Sequence, residues 1–133
     1  VCTVLLVQAD TASTLRWRAE LASRHFNVIW APGLQAGIRR LRQGGIDAIL
    51  VDEPDVQDLA DELTTLADSP PFVWLSSSPS APRRSVELGA AAFFPKPCDA
   101  YDVEAIAERL RLFGTPRAVE RPLARATTSS SVG

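Results

Sequence analysis

The chain has 133 residues, 46% of them hydrophobic and 23% charged, a composition that suits one globular domain whose core needs neither disulfides nor metal. A formal net charge of -2 argues against a general nucleic-acid or anionic-membrane binder, where a basic excess is expected. Cys2 and Cys98 form no CxxC pattern and His25 is the lone histidine, which argues against a Cys/His zinc site and fits a reducing cytosol.

No apolar run approaches the roughly 20 residues of a membrane span, and no secretory signal is visible. The chain begins at Val1 and contains no Met, so a trimmed native start is expected.

The first run, Val4-Leu5-Leu6-Val7, is unbroken and reads as a strand buried on both faces, the mark of a parallel sheet. The segment from about Thr11 to Arg24 follows at partly helical spacing, with Leu15, Trp17, Leu21 and Ala22 as its apolar positions. Phe26 to Trp30 is a second, less regular strand. Gly33 to Gln43 reads as a helix with Ala36, Ile38 and Leu41 inward, closed by Gly44-Gly45. Ala48 to Val51 is a third strand. Leu59, Leu63, Leu66 and Ala67 then mark an amphipathic helix. Phe72 to Leu75 is a fourth strand, followed by a short helix over Pro82 to Leu88, whose start Pro79 and Pro82 limit. Ala91 to Phe94 is a weak fifth strand. Asp99 to Phe113 is the last helix, with Val103, Ile106, Ala107, Leu110 and Phe113 on one face and Asp99 as its cap.

Strand and helix thus alternate five times along residues 1–113. Right-handed crossovers turn such a pattern into a doubly wound α/β fold, a five-stranded parallel sheet of order 2-1-3-4-5 with helices on both faces. From Gly114 to Gly133 the composition becomes that of a linker or tail, with Pro116, Pro122 and the Thr127–Ser131 run. Arg117, Arg121 and Arg125 give it positive charge for solvation rather than a nucleic-acid arm.

Ligands in open α/β sheets bind at the carboxyl ends of the strands. Asp52 stands there on strand 3, Ser76 on strand 4 and Lys96 on strand 5, so a carboxylate, a hydroxyl and an ammonium converge on one crevice. The protein has 13 Arg and one Lys; that single lysine stands at this crevice, in the run Phe93-Phe94-Pro95-Lys96-Pro97.

These residues resemble the pattern of response-regulator receiver domains, across roughly residues 3–113. The resemblance implies a CheY-like (βα)5 fold and a signalling function rather than an enzyme. It implies Asp52 as the phosphoacceptor, a carboxylate that forms a labile acyl phosphate. Ser76 and Lys96 would contact and neutralise the phosphoryl group, Lys96-Pro97 would be cis, and Phe93 would be the switch aromatic. Its implied partners are a histidine kinase or another signalling protein, or a second copy docked through the helix 4–strand 5–helix 5 face, in the cytoplasm. No nucleic acid or membrane partner is expected.

One part departs from that family. Its strand 1 ends in two adjacent acids that hold Mg²⁺ together with the acceptor aspartate and a nearby backbone carbonyl. Here Gln8 and Ala9 stand in those positions and Asp10 comes one later. Magnesium demands oxygen ligands in octahedral geometry; Gln8 offers a neutral carbonyl and Ala9 nothing, so Mg²⁺ binding is expected to be weak or absent and phosphorylation impaired. A loop insertion that returned Asp10 to the site would give a ligand set of Asp10, Asp52 and the Pro54 carbonyl, and a conventional phospho-switch. The loop after Asp52 lacks the family's glycine, and Ser76 to Gly89 is about two residues short, which predicts a stunted fourth helix.

Other readings stand beside these. Asp52 could cap the next helix and Asp10 the first one; Phe93 could be plain core; Lys96 could hold Asp52 in a permanent ion pair. Trp17, Trp30 and Trp74 read as core or half-buried, and Arg39, Arg40 and Arg42 as a solvated face. A small flavodoxin-like ligand-binding protein is the alternative from another class, although Gln8-Ala9-Asp10-Thr11 stands where a glycine-rich phosphate loop would be.

Overall fold

Alternate side chains of a strand point to opposite faces of its sheet, and two cores follow from that rule. The computed structural model describes residues 2–113; the proposed tail, 114–133, lies outside them. Its elements are β1 (Thr3–Gln8), α1 (Thr11–Ala22), β2 (Asn27–Ala31), α2 (Leu34–Leu41), β3 (Ala48–Asp52), α3 (Gln57–Leu63), β4 (Phe72–Ser76), α4 (Ala81–Glu87), β5 (Ala92–Pro95) and α5 (Ala100–Phe113). The strands are all parallel, in the order β2-β1-β3-β4-β5, as the βα alternation predicts.

On one face Val4, Leu6, Leu50, Val73 and Leu75 pack with Trp17 and Leu21 of α1 and with Val103, Ile106 and Leu110 of α5. On the other, Leu5, Val7, Ile49, Val51 and Trp74 pack with Ile38 and Leu41 of α2, Leu59 and Leu63 of α3, and Ala81 of α4. Each large aliphatic side chain fully withdrawn from water contributes about 1.5–3 kcal/mol. Neither face of the sheet is left to solvent, which is why β1 and β3 carry unbroken apolar runs.

Helix faces differ from the expected ones in two places. On α1 the buried residues are Thr14, Trp17 and Leu21, whereas Leu15 is 62% exposed and Ala22 is exposed. Thr14 can face inward because its hydroxyl donates to the Asp10 carbonyl at 2.8 Å. The third helix ends at Leu63, leaving Leu66 half-buried and Ala67 exposed. The Thr64 and Thr65 hydroxyls donate to the carbonyls of Asp61 and Glu62, a local competition with the helix, and Pro70-Pro71 then forces extended chain.

Close approach is visible at Gly37. A Cβ there would lie 2.9 Å from Cγ2 of Val7, so only glycine lets α2 sit this tightly on β1. The expected stop after α2 is present, with Gly44 and Gly45 at φ 80° and 82°, a region costly for other residues. As the short connection predicts, α4 has only 7 residues.

Candidate functional site

Register places the polar residues. Gln8 pairs with Asp52 at the last rung of β1 and β3, and Ser76 pairs with Pro95 at the last rung of β4 and β5. Lys96 follows directly, its backbone N–H bonded to the Ser76 carbonyl at 3.1 Å. The Lys96-Pro97 peptide is cis. Asp52, Pro54, Ser76 and Lys96 thus line one crevice of ≈ 180 Å³, together with Glu53, Leu75, Ser77 and Ser78. An adjoining crevice is lined by Gln8, Ala9, Asp10 and Ser13, and shares Asp52, Glu53, Pro54 and Lys96.

Both oxygens of Asp52 are engaged. Lys96 Nζ lies 2.8 Å from Oδ1. Gln8 Nε2 donates to Oδ2 at 2.6 Å. Gln8 is only 2% exposed, and its backbone carbonyl accepts from the Trp30 indole at 2.8 Å. Trp30, expected in the core or half-buried, is instead exposed at 37% because it lies on the edge strand β2, and its indole braces the end of β1. Trp74 does the same on the far side, its indole donating to the Glu53 carbonyl at 2.9 Å. Trp74 also meets Phe93 edge to face, with centroids 5.9 Å apart; Phe93 is half-buried against the α2–α3–α4 core.

Ser76 is buried, and its hydroxyl accepts from the Ser78 backbone N–H at 3.1 Å. Burial, with the neighbouring Asp52 charge, raises the Glu53 carboxyl above its ordinary range. Asp10 is the N-cap of α1: its Oδ2 accepts from Ser13 N–H at 2.8 Å, and hydrogen bonds from Ser13 lower its carboxyl. Burial pushes the Cys2 thiol up to about 11 and raises Cys98 as well, and both are free.

The residues present do not fit an octahedral Mg²⁺. Gln8 turns its nitrogen, a donor, toward Asp52; Ala9 has no donor atom; one oxygen of Asp10 is committed to a helix terminus. Among the described residues no group of three His, Cys, Asp or Glu side chains could hold a metal ion. The Glu53, Ser77, Thr14 and Trp30 contributions were not read from the sequence. The Ser76-Ser77-Ser78 run was a usable signal, whereas Thr14 and Trp30 matter only through register and helix rotation.

Comparison with solved structures decides the family of folds. The signal receiver domain of a signal transduction histidine kinase from Syntrophus aciditrophicus superposes with a TM-score of 0.75 at 25% identity, covering 94% of this chain and all of that one. The chain carries the CheY-like receiver fold. The non-phosphorylated HemR receiver domain from Leptospira biflexa matches at 27% identity and TM-score 0.72, over 83% of this chain and 94% of that one. A CheY-like receiver domain protein from Methanospirillum hungatei matches at 21% identity and TM-score 0.74, over 85% and 96%. No protein-family model and no curated protein matches the sequence. Among the described residues of this receiver fold, no helix is long and apolar enough to cross a membrane.

Proposed function

We propose that this chain is a signal-transduction receiver domain that works by protein–protein contact rather than as an enzyme, with Asp52 as candidate phosphoacceptor and Mg²⁺-dependent phosphorylation impaired. A receiver fold suggests a role in two-component signalling, and the carriers of phosphate chemistry in such folds stand together here as Asp52, Ser76 and Lys96. The observation that carries the reading is the state of Asp52. Gln8 and Lys96 each donate to one oxygen of Asp52, which leaves each oxygen a second lone pair but draws charge from the nucleophile. Neither donor brings the divalent charge that neutralises an incoming phosphoryl group, while Phe93, packed against Trp74, is the candidate switch aromatic. Its partners are a histidine kinase or another signalling protein of the cytoplasm, or a second copy docked through α4, β5 and α5.

Incubation with acetyl phosphate and Mg²⁺, followed by intact-mass measurement, tests this. The expected result is little or no gain of a phosphoryl group, with any gain lost in Asp52→Asn. Full Mg²⁺-dependent phosphorylation that Asp10→Ala abolishes would overturn it in favour of a conventional phospho-switch.

A further inference from the structure

We infer that the Gln8 carboxamide takes the place of a divalent cation beside Asp52, as a built-in clamp that makes the carboxylate's environment independent of metal. The inference deepens the receiver reading and rests on it for the meaning of Asp52. Its geometry stands separately.

A carboxylate only accepts hydrogen bonds. The Gln8 nitrogen must therefore be the atom that faces Asp52 Oδ2, at 2.6 Å. The Gln8 oxygen then points the other way, where Thr14 Oγ1 lies at 3.5 Å. Gln8 is 2% exposed, so water cannot readily take the place of its amide. The Gln8 backbone is fixed as well, by its rung with Asp52 and by the Trp30 indole. A neutral donor held this way offers Oδ2 partial positive charge where a metal would offer a full one. With Lys96 on Oδ1, the single charge of Asp52 is matched by a single cation. A divalent ion at Oδ2 would compete with an amide held in a buried position, and Asp10, which lines the same crevice, has one oxygen committed to the start of α1. Gln8 is thus a positioning residue for Asp52.

The clamp predicts that position 8, not position 9, controls metal binding. The test uses the full chain and Mg²⁺ itself as probe, read by NMR at the Asp52 carboxyl carbon and the Gln8 side-chain amide. In the unaltered protein the Gln8 amide should be slow to exchange, should shift in Asp52→Ala, and should ignore millimolar Mg²⁺. Gln8→Asp removes the clamp and adds a ligand, so Mg²⁺ should now move the Asp52 signal. Ala9→Asp adds the same charge but keeps the clamp. Its Mg²⁺ affinity should be weaker than that of Gln8→Asp by at least about tenfold, the worth of one hydrogen bond to a charged group.

Equal affinity in the two variants would overturn the inference, as would Mg²⁺ shifting Asp52 in the unaltered chain. Should Gln8→Asp fail to fold, the exchange rate of the Gln8 amide and its response to Asp52→Ala decide alone. None of these readouts needs a phosphodonor or a partner. A clamp found in a chain that engages no signalling protein would sink the receiver reading and leave the inference standing, and the reverse outcome would do the opposite.

Discussion

The two sides of Asp52 are built on different plans. Toward β4 and β5 stand Ser76, Lys96 with its cis proline, and Phe93 against Trp74, the set that the receiver pattern implies. Toward β1 the strand ends in Gln8, which donates to Asp52, and Ala9, with Asp10 turned to cap α1. The first side is partly open, Lys96 being 40% exposed at its side chain. On the second, Gln8 and Thr14 are buried while Ala9 and Asp10 face the adjoining crevice. The difference teaches that a strand end without acids need not leave the neighbouring carboxylate without a partner. A buried amide can satisfy the same carboxylate oxygen, and it does so without requiring a second negative charge beside Asp52.

Substitutions on the two sides should therefore have unequal costs. The largest effect is expected for Gln8→Leu, which keeps the volume but leaves Asp52 Oδ2 without its buried donor. A loss of about 2–3 kcal/mol in denaturant unfolding is expected, and a neutral result would mean that water reaches Oδ2 freely. Lys96→Met should cost less, about 1–2 kcal/mol, because the pair it breaks lies between the exposed and the buried case. A cost above that of Gln8→Leu would invert the comparison. Ser76→Ala removes one acceptor for the Ser78 N–H, about 0.5–1 kcal/mol, measurable by the same method.

Asp10→Ala sharpens the contrast in another way. Loss of the N-cap should lower the melting temperature, with no change in the response to Mg²⁺. That stabilisation is expected to depend on pH. The folded carboxyl of Asp10 lies below its unfolded value, so its contribution is present above the unfolded value and is lost as pH falls through the folded one.

The smallest effect is expected at Glu53, and its sign is opposite. Burial raises this carboxyl, so its charge costs stability at neutral pH. Glu53→Gln should raise the melting temperature at pH 7 by no more than about 2 °C. The gain should shrink as pH falls through the raised value and vanish below the ordinary 4.5. A gain that persists in acid would show that the charge is not its cause.

Much of this was legible in the amino-acid order. The run Val4-Leu5-Leu6-Val7 signalled two-sided burial, and Leu5 and Leu6 do enter different cores. Asp52, Ser76 and Lys96 could be placed at one sheet edge by counting strands. The rotation of α1 could not, because its apolar positions do not form one clean stripe. Trp17 and Leu21 are buried while Leu15 faces solvent, and the polar Thr14 takes an inner position. The end of α3 was equally hidden, since Leu66 and Ala67 continue its spacing after Thr64 and Thr65 have turned the chain.

By itself, then, the sequence determined the alternation of strand and helix, the strand ends that carry Asp52, Ser76 and Lys96, and the absence of an acid at positions 8 and 9. Periodicity and turn residues act between neighbours along the chain, and that is why those features could be read directly. Only the tertiary structure decided that Gln8 meets Asp52, that Trp30 and Trp74 brace the two strand ends, and that Asp10 serves α1. Those outcomes depend on which strands become neighbours, on their register, and on which way a buried amide must turn to face a carboxylate. Each is a relation between residues far apart in the chain, or between a side chain and a helix end, and it arises only once the sheet has closed around them.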